Sequence, residues 1–478
     1  MDHKIGKPKF ICFGCVKEQY LDQEIRTNGT ARTCSYCRKK QACIPIDQLA
    51  DRIEVAFAHH YVRTPDQPDF WEQVMQADES SDYEWSREGE PAVDAIQNAA
   101  RLPTEAAQDV LEILDDRHGD FELQAMGEET EFSSTSRYAR NDPDTDAWYQ
   151  EWYQFEYSLR AEARFFNKIA ADHLTKVFDS IDKLKVRHST SPVVMVGPKC
   201  DLKFLFRARV FQSDAKLREA MAHPDRHLGP PPPRLATAGR MNARGISVFY
   251  GATTASAALA EVRPPVGSSV LTAKFKITRP LRLLDLTALE KVIDLGSIFD
   301  PPLKHRLERI AFLKFLGQRI SRPIIPDDQD LDYLATQAIA DFLATANDPQ
   351  LDGIIFRSAQ SEDGLNVVLF QHASRVQAIS LPKGTVVKAH TGSHTEDGWD
   401  IDYRVFETVP VESPRDKQAP PPQVSDDAWS YQENLDHREP NLEVDLSSVE
   451  VHQVESIKVN SFSFAVNRSR HKAGRVKF

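Results

Sequence analysis

The residues of this chain best suited to chemistry gather in one run, Gly239 to Pro265, which reads GRMNARGISVFYGATTASAALAEVRPP. A Gly-Arg-x-Asn turn leads into a β-rich run, Ile246 to Tyr250, and a helix of small residues then carries Glu261 beside Arg263. The order sets an aromatic ring, Tyr250, at one end of a strand and a carboxylate about three helical turns further on. An aromatic face and a carboxylate together can grip a flat cationic ring and the sugar bonded to it. No phosphate-cradling glycine loop accompanies them, so the segment points to nucleotide chemistry of another kind.

A second set of reactive side chains lies at the start. Cys12 and Cys15 sit in Cys-Phe-Gly-Cys, Cys34 and Cys37 in Cys-Ser-Tyr-Cys, with 18 residues between the pairs. Each Cys-x-x-Cys turn presents two thiolates to one ion, and two turns complete a tetrahedral shell with no open position. The expected metal is a structural zinc ion. Cys43 and Cys200 lack paired spacing and read as ordinary small apolar residues. The module is basic, with 9 Lys/Arg against 4 Asp/Glu up to Ile46. Contact with nucleic acid stays open there, but packing on its own chain is the simpler expectation.

The elements that must position these groups differ along the chain. Residues 47–190 read as helical. Trp148, Trp152, Phe155, Leu159, Phe166, Ile169 and Val177 recur at helical steps, predicting one helix over Asp146–Phe178 with Asp146 as its N-cap. Thr104 to Leu114 is another helix, stopped by Asp115 to Gly119. Glu128 to Asp144 is polar and predicts a long loop. From Pro192 onward short β-rich runs appear: Val193–Val196, Lys203–Phe211, Ile246–Tyr250, Val270–Ile277 and Leu281–Leu284. Helices are expected at His305–Ile320 and Leu331–Thr345, and a strand pair at Asp352–Ser358 and Leu365–Phe370. The polyproline run after Gly229 cannot be a central strand. Strands interleaved with helices at this density predict a mixed α+β domain.

A Pro-rich linker containing Pro420 to Pro422 follows, and alternating runs at Leu442–Leu446, Val449–Val454 and Ile457–Phe464 predict a small β appendage. Arg468–Lys477 is basic and is expected to fray. The expected organisation is therefore 1–46 cysteine module, 47–190 helical domain, 191–412 α+β domain, and 413–478 linker and appendage.

Length and composition fit a soluble multidomain protein: 478 residues, 41% hydrophobic, without a run of about 18 apolar residues. The first residues lack the apolar stretch of a secretory signal, so the expected compartment is the cytoplasm. The net charge of −12 is uneven: Pro65 to Glu131 carries 20 Asp/Glu against 3 Lys/Arg, a net of −17, and the remainder is net +5. The acidic stretch reads as a solvated helical surface, or as a docking surface for a basic partner.

Asp201 to Gln377 resembles the RES domain, named for its Arg, Glu and Ser and found in toxins of bacterial toxin–antitoxin pairs. The matching pieces are Leu205 to Arg209, Gly239 to Asn242, Val248 to Ala252, Ala258 to Arg263, Tyr333-x-x-x-Gln337, Asp352 to Ser358 and Asn366 to Phe370. The resemblance implies a fold like that of ADP-ribosyltransferases and NAD+ as substrate. The order of domains is similar to long RES proteins with a HEPN-like helical N-terminal domain. Under the resemblance, Glu261 stabilises the oxocarbenium-like state of nicotinamide–ribose cleavage, Tyr250 stacks on nicotinamide, and Arg207 binds pyrophosphate through a bidentate guanidinium. Ser358 bonds a phosphate or ribose oxygen, with Arg240 and Asn242 as further binding candidates. Arg209, of the same strand parity, competes with Arg207 for the arginine position. Tyr333 and Gln337 read as structural.

The expected activity is NAD+ phosphorolysis or hydrolysis. ADP-ribosyl transfer to a macromolecule is one alternative. A ribonuclease built on Arg52-x6-His59 is another, with Arg218-x4-His223 a chance match inside the RES region. A non-enzymatic sensor is the third. An antitoxin or other regulatory protein, or the acidic domain itself, is expected to restrain the chemistry. No membrane or nucleic-acid partner is expected, and a homo-oligomer stays open.

Overall fold

The computed structural model describes residues 8–469 except 79, 121, 123–125, 188–190, 323–328, 362–363, 397, 411–435 and 459–460. The Pro-rich linker and almost all of the basic end lie outside the described residues. Contacts divide the chain into two compact units: Met1–Pro192 with Leu286–Ile320, and Val193–Asp285 with Ser321–Phe478.

In the first unit, strands Phe10–Cys12, Lys40–Pro45 and Thr30–Thr33 form an antiparallel sheet in that spatial order, beside helix Gln19–Asn28. This module shares one core with helices Ile46–His60, Ala92–Ala100 and Thr104–His118, through Ile11, Leu21, Ile53, Ile96 and Val110. Tyr36 donates to Asp109 at 2.7 Å, tying a cysteine turn to the last of these helices. That helix runs past Leu114 to His118 because Arg117 pairs with Asp51 at 2.8 Å and Glu54 at 2.9 Å.

The single helix expected over Asp146–Phe178 is two helices. Asp146–Tyr157 ends in a π-helical turn, Ser158–Glu162, and Lys168–Phe178 restarts after Asn167, whose side chain accepts from Ala170 N–H. Phe166 breaks the stripe: its φ is +56° and its side chain is fully exposed. Asp146 is the first helical residue, not the cap, and Thr145 takes that place. The loop expected at 128–144 contains strand Arg137–Arg140, paired with Tyr61–Arg63 and Glu90–Pro91. Its alternation was hidden by arginines at both ends. Helix Leu303–Ser321 belongs to this unit, where Phe312 stacks on Trp148 at 5.3 Å.

The main sheet of the second unit has eight strands: β1 Val193–Val196, β2 Phe204–Phe211, β3 Phe249–Ala252, β4 Ser269–Ile277, β5 Leu281–Asp285, β6 Gly353–Arg357, β7 Leu365–Leu369 and β8 Leu442–Gln453. Their spatial order is β8-β4-β2-β3-β7-β6-β5-β1. Only β5 and β6 are parallel, and their long crossover contains residues 286–352. One face buries Leu205, Phe249, Phe275, Val367 and Leu369 with Leu217 and Met221 of helix α1, Asp214–Ala222. The other buries Ala208, Ala252 and Val270 under Ala257 and Ala258 of helix α2, Ala255–Glu261. Alanines let this short helix sit close to the sheet.

Two expectations change here. The strand expected at Ile246–Tyr250 begins only at Phe249. Ile246 spends its carbonyl on the Asn242 amide at 3.0 Å and its side chain is exposed, so it joins no ladder. The β appendage is not separate: its first two runs are one strand, β8, at the edge of the main sheet, paired with β4 across a bulge between Thr272 and Lys274. The third run is no strand where described, and Phe462 and Phe464 are exposed.

Candidate functional site

Glu261 is the last residue of α2. Thr254 caps the helix by accepting from Ala257 N–H at 3.2 Å, and Arg263, with φ +44°, and two prolines end it. The expected three turns are fewer than two, because β3 runs on to Ala252 before the helix starts. The β6–β7 connection seats the helix. Thr253 N–H donates to Leu365 O, and Leu365 N–H donates to Thr253 Oγ1, both at 2.9 Å. Gly364, with φ +108°, leaves room for Thr254: a Cβ there would lie 2.6 Å from its hydroxyl.

This seating turns the Glu261 carboxylate toward the sheet rather than toward Arg263. Its Oε2 accepts from Asn366 Nδ2 at 3.0 Å and from Ser358 Oγ at 3.3 Å. Ser358 Oγ also accepts from Gln360 N–H at 3.1 Å. Asn366 was missed as a site residue. The signal was a lone amide in the apolar run Leu365–Phe370, at a position that proves 4% exposed.

Tyr250 belongs to a second cluster. Its hydroxyl donates to Asn242 Oδ1 at 2.9 Å and accepts from Met241 N–H at 3.0 Å. Burial raises its pKa, against the Met241 N–H, which lowers it. Asn242 Nδ2 donates to Thr237 O, Ala243 O and Ile246 O at 3.0, 3.2 and 3.0 Å. Asn242 therefore organises the turn, and its side chain is committed inside the protein. Helix α3, Gln329–Thr345, holds the same turn from outside: Gln337 Nε2 donates to Gly239 O at 2.8 Å and Thr336 Oγ1 to Arg240 O at 2.6 Å. Arg240 sits half-buried in the turn. A Cβ on Gly239 would lie 2.7 Å from the Tyr250 hydroxyl oxygen, so the turn needs glycine.

β2 and β3 meet at one register pair, Ala252 opposite Phe206, and then part. Arg207 follows that pair. Strand parity puts it on the side of Leu205, and its guanidinium lies 4.9 Å from the Phe249 ring centre. Its Nη1 is shielded from solvent without a hydrogen-bond partner. Burial and the neighbouring Arg209 charge pull its pKa down to about 10, against the favourable Tyr250. Arg209 is exposed and donates to His227 O at 2.8 Å. The residue as a whole is half-buried, and a partly desolvated cation without a protein acceptor is one that an anion can complete.

The four cysteines also converge, with all four sulfurs within 4.8 Å of one another. Cys12 and Cys37 Sγ are 3.5 Å apart, and Cys15 and Cys34 Sγ are 3.8 Å apart. Sulfurs about 2.3 Å from a tetrahedral zinc ion stand about 3.8 Å apart, so the residues fit such an ion. Burial pushes the Cys34 thiol up, but N–H groups of Cys37 and Tyr36 outweigh it and bring it down to about 7. Burial raises Cys12 and Cys15. A bound cation would deprotonate all four.

The sheet thus carries the Glu261–Ser358–Asn366 cluster beside α2 and the Tyr250–Asn242 cluster, while Arg207 lies on the side of Leu205, next to the Phe249 ring. Residues 205–391 match the family model of the RES domain. Comparison with curated proteins finds no match, and comparison with solved structures finds none. Among the described residues no helix is long and apolar enough to cross a membrane.

Proposed function

We propose that this protein cleaves the nicotinamide–ribose bond of NAD+, with phosphate or water as acceptor, on a domain folded like ADP-ribosyltransferases. The observation that carries the reading is the Glu261 carboxylate fixed by Ser358 and Asn366 within the RES segment. As the C1′–N bond breaks, its electron pair leaves with nicotinamide and positive charge grows on the ribose. A preorganised carboxylate stabilises that charge, and loss of such a group costs about 3–4 kcal/mol of barrier. The acceptor oxygen then bonds C1′ and releases its proton to solvent. Arg207 binds the pyrophosphate. Tyr250 supplies its ring face, because its hydroxyl is already engaged at both ends.

The four-cysteine cluster holds structural zinc in this reading, the helical domain is HEPN-like, and the protein works in the cytoplasm under restraint by an antitoxin or its own N-terminal region. Arg52 of the Arg52-x6-His59 pair is engaged by Glu24, which gives the ribonuclease reading no support. Arg218 pairs with Asp214 at 2.7 Å.

The test is incubation of the full chain with labelled NAD+, with and without phosphate. Free nicotinamide with small labelled products is expected. Label bound covalently to protein or nucleic acid would replace this reading with ADP-ribosyl transfer, and intact NAD+ would reject both.

A further inference from the structure

Glu261 ends a helix fewer than two turns long and is itself exposed. A carboxylate at such a frayed end samples several rotamers unless something fixes it. Two groups do so here, and they are unequal. Ser358 lies just beyond β6, approaches at 3.3 Å, and also accepts from the Gln360 N–H. Asn366 is rigid by comparison. It sits in β7, flanked on both sides, opposite Ala252 of β3 and Phe356 of β6, and it is buried. Its amide approaches Glu261 at 3.0 Å.

The chemistry of the donor matters as much as its rigidity. A carboxamide N–H donates without titrating, so the donor itself does not change with pH. Both donors reach the same oxygen, Oε2, and Oε1 takes no hydrogen bond among the described residues. One oxygen is anchored, on a residue that is exposed.

We propose that Asn366 is a positioning residue: its amide holds Oε2 of Glu261 so that Oε1 faces the bound ribose. The proposal rests on the NAD+-cleaving reading above. Asn366 does not touch the substrate. Its loss should therefore lower kcat and leave substrate affinity nearly unchanged, the pattern of an interaction that matters only in the transition state. Second partners of reactive groups typically act at the level of 10–100-fold.

Asn366→Ala and the nearly isosteric Asn366→Asp test it in the full chain. Asn366→Ala is expected to lower kcat about 10–100-fold with KM within about threefold. Asn366→Asp places a second carboxylate where the amide donated, and two carboxylates at this distance compete for one proton. Its acid limb is expected to move to higher pH, with activity partly recovered in alkali. Thermal melts distinguish lost positioning from lost folding. If Asn366→Asp folds and retains the wild-type kcat and pH profile, the proposal is overturned. If wild type leaves NAD+ intact, the functional reading fails separately. In that case 13C NMR of side-chain-labelled glutamate, assigned with Glu261→Gln, still decides. A Glu261 titration that moves in Asn366→Asp supports the contact, and one that stays put overturns it.

Discussion

Asn242 accepts the Tyr250 hydroxyl at 2.9 Å while its own amide spans three backbone carbonyls of the turn around it. The pair ties the ring to the loop, and Gln337 and Thr336 tie the loop to α3. The hydroxyl is engaged at both ends, so under the proposed reading it is the ring face that meets the ligand. Tyr250→Phe should keep turnover within about tenfold, whereas Tyr250→Ala should raise KM by more. Asn242→Ala should cost about 1–3 kcal/mol of stability, because it removes three hydrogen bonds to turn carbonyls and the acceptor of the Tyr250 hydroxyl. Melts and steady-state kinetics check both. A Tyr250→Phe variant as inactive as Tyr250→Ala would mean that the hydroxyl takes part in the chemistry.

Arg207 separates function from stability. Its Nη1 is shielded without an acceptor, and burial draws its pKa down to about 10. Arg207 is half-buried, and replacing a partly desolvated guanidinium that lacks a protein acceptor with an apolar residue of similar length removes a desolvation cost. Arg207→Met should thus melt higher than wild type and lose NAD+ turnover. The same change at Arg209, which is exposed and bonded to His227 O, should leave both nearly unaltered. A destabilised Arg207→Met protein would show that the guanidinium is satisfied in solution and is not waiting for an anion.

The short strand of Tyr250, the helix that carries Glu261 and the convergence of the four cysteines were legible because motif spacing and strand-then-helix order are local properties. Their partners were not. Asn366 bonds Glu261 across 105 residues and Gln337 bonds Gly239 across 98, and no periodicity reports such pairs. The strands of the main sheet were legible from β-rich runs, but β8 was taken for an appendage because alternation says nothing about which sheet a strand joins. Residues 246–248 looked like strand by composition and were lost to Asn242, whose amide takes the Ile246 carbonyl. The Asp146–Phe178 stripe misled because Phe166, an aromatic at helical spacing, sits at positive φ in the break.

Asp352 joins β5 and β6 electrostatically. Its Oδ2 accepts from Arg282 N–H at 2.8 Å, and its Oδ1 lies 3.3 Å from Arg279 Nη2 and 3.4 Å from His372 Nε2. Burial raises this carboxyl, but His372, the Arg282 N–H and Arg279 outweigh burial and hold it below the ordinary aspartate value. A depressed carboxyl contributes stability above its unfolded pKa of about 3.9 and loses it as pH falls through the folded value. Asp352→Asn should therefore melt below wild type at pH 6–7, by about 1–3 kcal/mol in stability, and the gap should close below about pH 4. Melts from pH 3 to 7 check the sign. A gap that widens in acid would contradict the depressed pKa.

The cysteine cluster makes a prediction about reach as well as composition. Bound metal in such sites supplies about 10–16 kcal/mol of apparent energy. The module shares its core with helices Ile46–His60, Ala92–Ala100 and Thr104–His118, and Tyr36 bonds Asp109 directly. Metal removal should therefore loosen more than residues 8–45. Elemental analysis should find one zinc per chain, absent in Cys34→Ser. Chelation should speed amide exchange in the module and in all three helices. A four-thiolate shell has no open position for chemistry, so NAD+ turnover should persist after chelation. Exchange confined to residues 8–45 would mean that the shared core survives without the metal. Turnover abolished at once, with the other unit still folded, would contradict a purely structural ion.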